Sequence, residues 1–348
     1  MMYTRGFKIV QPKRFEVYVE ELETNVDEAI IKIESAAICK ADIRYYLGNR
    51  DERLLGLKYP INLIHEAIGR VVKDPTGTFN VGDKVALVPN IIPQEHNKSE
   101  CQICTSVELG ENYCPSAKFA SSNYDGFSKE YISYPIKNLV KINNNINSDV
   151  AVFTELISVA LSAIRRIDLK ENDTIGIWGD GILGYVLCTV LKHMHKGQII
   201  VVGHNENKLE KFEGVKTYKS NDEDISKNRI NVAFECIGGV AAENGINEII
   251  STIIPGGTIV LTGVSENGVK INTRKILEKG LCLCGVTRST VEDFRVAAEL
   301  LKNNEFVSCI SKLIIGSVSI YNINDYYKIF EEESTSRLLG KRILKFKF

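Results

Sequence analysis

Three separated segments of the chain carry side chains that suit a metal ion. Cys39 lies in the first, His65 and Glu66 are adjacent in the second, and Glu155 lies in the third. Taken one at a time, these residues have ordinary structural roles: a buried thiol for Cys39, a hydrogen-bonded imidazole for His65 and a carboxylate at the start of a helix for Glu155. A thiolate, an imidazole and a carboxylate together suit zinc, with one coordination position left for water or a substrate. The pattern therefore predicts a zinc site, with Asp42 as a candidate to orient the imidazole.

A glycine-rich turn in the second half of the chain has the residues that bind a pyrophosphate. Gly179, Gly181 and Gly184 form a G-x-G-x-x-G motif between a predicted strand, 174–178, and a predicted helix, 182–192. The glycines permit a tight turn, close approach of the backbone to a phosphate, and close packing of helix against strand. The helix N-terminus adds unpaired N–H groups. The residues of this turn predicted to bind a dinucleotide are Gly179, Asp180, Gly181, Ile182, Leu183 and Gly184.

The end of the next predicted strand, 199–203, indicates which dinucleotide binds. NAD-specific sites usually have Asp or Glu about 20 residues past the glycine motif, bonded to the ribose 2′-hydroxyl. Gly203 stands there, 19 residues after the last glycine, and His204 and Lys208 offer donors and positive charge to a 2′-phosphate. Glu206 is the nearest acid and would favour NAD in a shifted register. We therefore predict NADP(H) binding at Gly203, His204 and Lys208.

The predicted secondary structure that must position these residues changes near residue 150, from short strands and turns to strands interleaved with helices. Before it, short β-like runs alternate with turns, at 16–20, 29–37, 67–72 and 84–88. After it, a predicted helix at 150–167 is followed by apolar strands interleaved with helices, which is typical of a parallel sheet covered by helices. One clear helix, 291–302, and a strand, 342–346, follow. The predicted fold class is α/β, with a doubly wound domain and a β-rich outer domain that includes the C-terminal tail.

Length and composition exclude several classes of protein. The chain has 348 residues, 44% hydrophobic and 25% charged, which suits about two globular domains and excludes wholesale disorder. A net charge of −1 gives no general reason to bind nucleic acid or an anionic membrane. The apolar runs are far shorter than the roughly 20 residues that span a bilayer, and no secretory signal is visible. We therefore expect a cytoplasmic protein.

The nine cysteines divide into motif-like and isolated ones. In a reducing compartment, clustered cysteines are typical of metal ligands, and isolated cysteines of small buried side chains. Five cysteines lie in apolar runs and are predicted to pack in cores: Cys188, Cys236, Cys282, Cys284 and Cys309.

The order and spacing of Cys39, His65, Glu66, Glu155 and the glycine turn resemble those of the zinc-dependent medium-chain dehydrogenases, over essentially the whole chain. The chain is most similar to the polyol branch, which includes sorbitol dehydrogenase. The resemblance implies that Cys39, His65 and Glu66 hold a catalytic zinc ion, with Glu155 a fourth ligand, direct or through water. Five strings are similar to those of bacterial ribulose-5-phosphate reductases: 44–51, 63–66, 176–181, 234–239 and 277–280.

This resemblance implies a domain organisation and an activity. It places a GroES-like catalytic domain at 1–150, a Rossmann NADP(H)-binding domain at 151–290, and a segment at 291–348 that returns to the catalytic domain. The implied activity is NADPH-dependent, zinc-assisted reduction of D-ribulose 5-phosphate to D-ribitol 5-phosphate, which supplies CDP-ribitol for cell-wall polymers. The implied assembly is a homodimer or homotetramer that works beside a cytidylyltransferase.

Two departures from simple alcohol dehydrogenases favour a phosphorylated substrate. Those relatives usually have Ser or Thr at the position of Ala41 and His at that of Arg44, which serve a proton relay. Without them, we expect the proton to come through water at the zinc, Glu155, Glu66 or a substrate hydroxyl. Arg44 instead supplies a permanent positive charge that suits a phosphate, with Arg288 a second candidate and Arg50 a weaker third.

A second cluster, Cys101-x-x-Cys104 followed by Cys114, resembles the structural zinc lobe of the same family. That lobe has four cysteines, and the third is replaced here. Three thiolates with a carboxylate such as Glu108 or Glu111 would complete a tetrahedral site. A degenerate lobe with free thiols is the alternative.

Two other functions stay open at this point. One is an NAD(P)-dependent polyol or amino-alcohol dehydrogenase that acts on an unphosphorylated substrate. The other is a non-catalytic nucleotide-sensing protein on the same fold, which the retained Cys39, His65 and Glu155 disfavour.

Overall fold

The computed structural model describes residues 2–348, which form two compact units. Unit 1 extends from the N-terminal residues to Ser158 and resumes from Ser289 to Phe348, and unit 2 is Val159–Arg288. The predicted α/β class, with a parallel doubly wound sheet and a second β-rich part, is confirmed. The assignment of 1–150, 151–290 and 291–348 to separate functions stays a prediction.

The secondary structure comprises strands, α-helices and three short 3-10 turns. The strands are β1 (Tyr3–Gln11), β2 (Arg14–Glu21), β3 (Glu28–Ala37), β4 (Ile61–Asn62), β5 (Glu66–Lys73), β6 (Lys84–Leu87), β7 (Asn90–Ile91), β8 (Lys118–Phe119), β9 (Tyr131–Pro135), β10 (Leu139–Ile142), β11 (Ile175–Trp178), β12 (Ile199–Gly203), β13 (Lys216–Lys219), β14 (Val232–Glu235), β15 (Thr258–Leu261), β16 (Cys282–Gly285), β17 (Ile314–Ile320) and β18 (Lys341–Phe346). The helices are α1 (Lys40–Leu47), α2 (Glu52–Lys58), α3 (Gln102–Thr105), α4 (Ser148–Ala151), α5 (Thr154–Arg165), α6 (Ile182–Met194), α7 (Glu206–Leu209), α8 (Ala242–Thr252), α9 (Thr273–Lys279), α10 (Val291–Leu300), α11 (Asn304–Ser311) and α12 (Ile323–Thr335).

A seven-stranded sheet forms the centre of unit 1, in the order β10-β6-β5-β3-β18-β17, with β9 also paired to β3. The antiparallel register of β3 and β5 places Ala37 opposite Glu66, and β18 pairs Ile343 with Ala37. Since β3 leads directly into Cys39, this register brings Cys39, Glu66 and the start of β18 to one end of the sheet. A core that includes Phe7 and other aromatic residues packs around this sheet.

Unit 2 is a six-stranded sheet in the order β13-β12-β11-β14-β15-β16, in which every pair is parallel. All four residues of β11 are buried, as expected for the centre of a sheet that helices cover on both faces. The order reverses its direction beside β11, and this switch point is where open α/β sheets bind ligands. The glycine turn follows β11, so the fold places it at this point.

Three details differ from the sequence predictions. The predicted helix at 150–167 is two helices, α4 and α5, because the Thr154 hydroxyl donates to the carbonyl of Ala151, 2.6 Å away, and the chain turns there. Cys282 is exposed, and Cys284 and Cys309 are half-buried, so the predicted core packing of these three is wrong. Cys282 and Cys284 lie on β16, which is an edge strand. The C-terminal part has three helices rather than one. No helix in residues 2–348 has the length and apolarity to cross a membrane.

Candidate active site

Cys39 is held at the start of α1 by the side chain of Asp42. Cys39 is the N-cap of the helix, and its backbone N–H donates to Asp42 Oδ2 at 2.8 Å. Asp42 is fully buried, and its Oδ1 accepts hydrogen bonds from the Ile64 N–H, at 3.1 Å, and from the Ser121 hydroxyl. One carboxylate therefore fixes Cys39 relative to the segment that contains His65.

His65 follows a backbone segment that leaves little freedom. Ile64 has a φ of +73°, a left-handed conformation that is unusual for a β-branched residue. Its carbonyl accepts from the Phe127 N–H at 2.8 Å, and a Cβ on Gly126 would lie only 2.3 Å from that oxygen. The Nδ1 atom of His65 lies 3.4 Å from Asp42 Oδ1. The imidazole is therefore oriented through Nδ1, and Nε2 is left as the ligand atom.

Glu66 is buried and paired with a lysine that sequence reasoning missed. Lys341, at the start of β18, places its Nζ 2.6 Å from Glu66 Oε1 and 3.2 Å from the carbonyl of Ile38. Glu66 Oε2 is buried without a hydrogen-bond partner in residues 2–348. The lysine therefore occupies one carboxylate oxygen and leaves the other, which suits a metal ligand.

The ligand atoms of Cys39, His65 and Glu66 all lie within 4.8 Å of one another. A thiolate, an imidazole and a carboxylate with an unsatisfied oxygen fit a zinc ion. Glu155, buried in the first turn of α5, is not in the set that meets this distance, although it interacts electrostatically with Glu66. Whether Glu155 ligates zinc stays a prediction.

Burial and mutual charge control the protonation of these groups in the metal-free protein. Burial and the Glu66 carboxylate raise the pKa of Glu155 to about 7. Burial alone would lower the pKa of His65, but Asp42 outweighs it and raises that pKa well above its usual value. In the same way, burial would lower the pKa of Lys341, and Glu66 outweighs it and raises it. His65 with Asp42 and Lys341 with Glu66 are therefore buried pairs of opposite charge, whereas Glu155 and Glu66 are buried groups of like charge.

The second cysteine cluster has a fourth member that sequence reasoning did not identify. The ligand atoms of His96, Cys101, Cys104 and Cys114 all lie within 4.8 Å of one another, with His96 Nε2 3.3 Å from Cys114 Sγ. Glu111 is instead paired with Lys98 and accepts from the Val291 N–H. The cluster therefore offers three thiolates and an imidazole, a zinc-type donor set, with histidine where a carboxylate was expected.

The glycine turn has the shape that its sequence predicts. Gly179 has a φ of +133°, and a Cβ there would lie 2.8 Å from the carbonyl of Cys236. A Cβ on Gly184 would lie 2.1 Å from the Gly179 carbonyl, whereas one on Gly181 would meet no protein atom within 4 Å. Residues 182–183 are half-buried and begin α6. The space at Gly181, in front of the first N–H groups of a helix, fits a pyrophosphate.

Gly203 has a further role that the sequence did not reveal. The carboxylate of Asp180 accepts from the backbone N–H groups of His204 and Asn205, both at 2.8 Å. A Cβ on Gly203 would lie 2.7 Å from Asp180 Cβ, so the glycine makes room for this contact. His204 is exposed and Lys208 half-buried at the start of the following helix, α7. Their binding of a 2′-phosphate stays a prediction.

The arginines proposed for substrate phosphate lie in different units. Arg44 is half-buried in α1 of unit 1. Arg288 is half-buried in unit 2, after β16, with a φ of +60°. Arg50 lies over the ring of Tyr45 in unit 1. Contact of any of these arginines with a phosphate stays a prediction.

Comparison with known proteins gives the family. Residues 25–144 match the model of the alcohol dehydrogenase GroES-like domain, and residues 183–303 that of the zinc-binding dehydrogenases. The chain is 37% identical to the ribulose-5-phosphate reductase of Bacillus spizizenii over 99% of both chains, and 34% identical to that of Streptococcus pneumoniae over 94% of both. Among solved structures, Staphylococcus aureus TarJ in complex with NADPH matches with a TM-score of 0.84, at 34% identity over 100% of both chains. The chain therefore belongs to the zinc-dependent medium-chain dehydrogenases, in the group that contains the ribulose-5-phosphate reductases.

Proposed function

We propose that this protein reduces D-ribulose 5-phosphate to D-ribitol 5-phosphate with NADPH, in a reversible, zinc-assisted hydride transfer. The observation that carries the proposal is the meeting of Cys39, His65 and Glu66 in a chain that aligns with ribulose-5-phosphate reductases over 99% of its length. The NADPH in the matched TarJ structure supports the choice of dinucleotide.

In this proposal the chain's own residues hold and orient the reactants. Cys39, His65 and Glu66 bind the zinc ion, with Glu155 as a further ligand, direct or through water. Asp42 fixes the imidazole of His65 through Nδ1, at 3.4 Å. When bound, zinc would polarise the carbonyl oxygen of the substrate and NADPH would supply the hydride. The proton that completes the alcohol would come through water at the zinc, Glu155, Glu66 or a substrate hydroxyl. Correct orientation of the carbonyl by fixed side chains contributes to the rate because fewer motions must be frozen in the transition state.

The glycine turn holds the dinucleotide in the same proposal. The backbone at Gly181 approaches the pyrophosphate, and the N-terminus of α6 donates N–H groups to it. His204 and Lys208 supply donors and charge to the 2′-phosphate, and Arg44 and Arg288 to the phosphate of the sugar.

The family resemblance also supports a proposal about setting. We infer that the protein acts in the cytoplasm, as a homodimer or homotetramer. Its product would supply CDP-ribitol synthesis by a cytidylyltransferase. Light scattering of the purified chain, alone and mixed with the cytidylyltransferase, tests the assembly.

The activity is tested by steady-state oxidation of NADPH. D-ribulose 5-phosphate is compared with D-ribulose, and NADPH with NADH, before and after removal of metal by a chelator. We expect the sugar phosphate with NADPH to be strongly preferred and chelation to abolish turnover. Sorbitol and threonine are oxidised with NADP⁺ in parallel; a preference for either would favour the unphosphorylated alternative.

The metal ligands are tested by Cys39→Ser. We expect it to lose one zinc ion per chain and at least about 10³-fold in kcat/KM, because the Lewis acid contributes several kcal/mol to the transition state. Cys282→Ser is the matched control, since this cysteine is exposed on β16. A Cys39→Ser protein that is metal-free at this site and fully active would overturn the zinc-assisted scheme.

A further inference from the structure

Two cations and two hydroxyls meet in unit 1, close to the segment that holds Asp42. Lys58 Nζ lies 2.7 Å from Tyr45 Oη and 3.0 Å from Ser122 Oγ, and these two oxygens are 3.2 Å apart. The guanidinium of Arg50 lies over the Tyr45 ring, 4.3 Å from its centroid, and Lys58 Nζ is 5.2 Å from the same centroid. We call Tyr45, Arg50, Lys58 and Ser122 the Tyr45 cluster.

The Tyr45 cluster presents mainly hydrogen-bond donors. Lys58 donates to both hydroxyls, so neither hydroxyl can donate to the ammonium. One hydroxyl can donate to the other, which leaves the remaining O–H and the third N–H of Lys58 for another acceptor. No carboxylate of residues 2–348 lies within 4.0 Å of Lys58 Nζ. Such a set matches a phosphate, which carries negative charge and several acceptor oxygens.

A purely structural role explains only part of this arrangement. Tyr45 is 1% exposed, and a partner for its hydroxyl is expected because a buried hydroxyl without one is costly. A neutral serine or a water would satisfy that need. Lys58 supplies a positive charge as well, which the hydroxyl does not require and which a bound anion would use.

The Tyr45 cluster is connected to the zinc ligands by two short routes within unit 1. Helix α1 begins after Cys39 and includes Tyr45, and six residues of helix span about 9 Å along the axis. Ser122 follows Ser121, whose hydroxyl donates to Asp42, the residue that orients the imidazole. A sugar phosphate has its carbonyl near one end and its phosphate at the other, so it needs two such sites at a fixed separation.

We propose that the half-buried Lys58 and Ser122 bind the phosphate of the sugar phosphate, and that the buried Tyr45 hydroxyl positions the Lys58 ammonium for this contact. This inference rests on the proposed function, because it assigns the phosphate of that substrate to a particular group of residues. Like Arg44, these residues lie in unit 1. Lys58 thereby selects phosphorylated over free sugars.

The test uses Lys58→Met in the zinc-loaded full chain. We expect KM for D-ribulose 5-phosphate to rise about 10- to 100-fold, the range for loss of a hydrogen bond to a charged group, with kcat changed less than about threefold. The ratio of kcat/KM for the sugar phosphate to that for D-ribulose falls by a similar factor. Competitive inhibition by inorganic phosphate weakens in parallel.

Lys32→Met is the matched control, because Lys32 Nζ also lies over a tyrosine, 5.4 Å from the Tyr131 ring centroid. We expect this control to keep the KM and the phosphate inhibition of the parent protein. Ser122→Ala provides a second variant that keeps the charge and loses one donor; its KM rises by about three- to tenfold. It also decides the question if Lys58→Met does not fold.

Two results would overturn the inference. One is a KM and a phosphate inhibition constant for Lys58→Met equal to those of the parent. The other is an equal loss of kcat/KM for phosphorylated and free sugar, which would show a structural role. Failure of the parent protein to reduce D-ribulose 5-phosphate would instead contradict the proposed function; thermal stabilisation by inorganic phosphate, lost in Lys58→Met, then tests the anion site alone.

Discussion

Gly181 and Gly184 lie in the same turn, but an added methyl group meets empty space at one and a backbone carbonyl at the other. We expect Gly181→Ala to keep the free energy of unfolding within about 0.5 kcal/mol and to raise the Kd for NADPH about tenfold or more, because the methyl group occupies phosphate space. Thermal unfolding and a fluorescence titration with NADPH measure both. Tight binding by Gly181→Ala would place the pyrophosphate elsewhere.

In contrast to Gly181→Ala, we expect Gly184→Ala to lower the free energy of unfolding. Its Cβ would lie 2.1 Å from the Gly179 carbonyl, so the helix must move away from the strand. We expect a loss of about 1–3 kcal/mol in the free energy of unfolding, the usual range for overpacking. Denaturant unfolding measures it, and an unchanged midpoint would contradict the packing seen at this turn.

Lys341 and Glu66 form a buried ion pair, and each depends on the other. Removing Lys341 leaves Glu66 buried and unpaired, which typically costs about 3–5 kcal/mol. We expect Lys341→Met to lower the free energy of unfolding of the zinc-free protein by this amount. Zinc should then stabilise the variant more than the parent protein, since the ion compensates the same carboxylate. Calorimetry with and without zinc measures the difference.

Lys84→Met is the control for this experiment. Lys84 is also buried, but its ammonium contacts the backbone carbonyls of Asn144 and Ile146 and no carboxylate of residues 2–348. We expect zinc to stabilise Lys84→Met by the same amount as it stabilises the parent protein. If zinc stabilised Lys341→Met and the parent protein equally, the result would show that Lys341 and zinc do not compensate the same Glu66 carboxylate.

Residue types and the family resemblance were sufficient to predict that Cys39, His65 and Glu66 share one site, and the structure places their ligand atoms within 4.8 Å of one another. Their binding of zinc stays a prediction. Residue types were not sufficient for Lys341, which pairs with a residue 275 positions earlier in the chain. Nothing in the sequence distinguishes a buried lysine of this kind from the many exposed ones. Only the register of β3 with β5 and β18 reveals it.

At the scale of elements, the second cysteine cluster takes two donors from helix α3, Cys101 at its N-cap and Cys104 within it, and one each from His96 and Cys114 outside the helix. We expect the purified protein to bind two zinc ions per chain and His96→Ala to bind one, because three thiolates without the imidazole hold the metal more weakly. The loss should be local: residues 93–117 become sensitive to protease while NADPH-dependent turnover persists. Metal analysis and limited proteolysis measure both.

His195→Ala is the matched control, since His195 is in unit 2, where its Nε2 lies 2.8 Å from the Asp173 carbonyl, and it belongs to neither donor set among residues 2–348. It should keep both zinc ions. A parent protein with one zinc per chain, unaffected by His96→Ala, would identify this cluster as free thiols, the other interpretation that the sequence allowed.

Elements with a clear apolar period were predictable, and those with a mixed surface were not. Strands β11, β12, β14 and β15 of unit 2 lie in short apolar runs, and β12 was placed within its exact bounds. Strand β13 is mostly exposed and polar, and it was not predicted. Helix α12 was missed because its buried positions, such as Tyr326 and Phe330, are interleaved with Lys328 and a run of acids, 331–333. Its apolar face becomes apparent only when it packs against the aromatic core of unit 1.

At the scale of the whole molecule, Asp149 ties the two sequence-distant parts of unit 1 together. Its carboxylate accepts from Ser35 Oγ at 3.1 Å and from Ser317 Oγ at 2.8 Å, and it pairs with Lys345. Burial alone would raise the pKa of Asp149, but the hydrogen bonds and charge of Lys345 and the serines outweigh it and lower that pKa. The interactions of the Asp149 carboxylate with Ser35, Ser317 and Lys345 therefore stabilise unit 1 by an amount that depends on pH.

Because the pKa of Asp149 is lower in the folded state than in the unfolded state, its contribution to stability decreases at low pH. The stability from Asp149 is complete above the unfolded pKa, about 4, and is lost as the pH falls through the lower folded value. We expect Asp149→Asn to lower the melting temperature at pH 7 and the difference from the parent to shrink between pH 5 and pH 3. Melting followed by circular dichroism measures it. The exposed Glu23→Gln serves as control, and a constant difference across this range would refute the link.

Strand β18 lies between β3 and β17, so the sheet that holds the zinc ligands contains strands from both ends of the chain. On the ribosome, all strands of unit 2 have been synthesised once residue 285 is added, whereas Lys341 does not yet exist. Unit 2 can therefore fold cotranslationally while β3 still presents an unpaired edge and Glu66 lacks its cation. The edge of β3 near Ala37 and the charge balance at Glu66 are therefore completed only when the last strand of the chain has been synthesised.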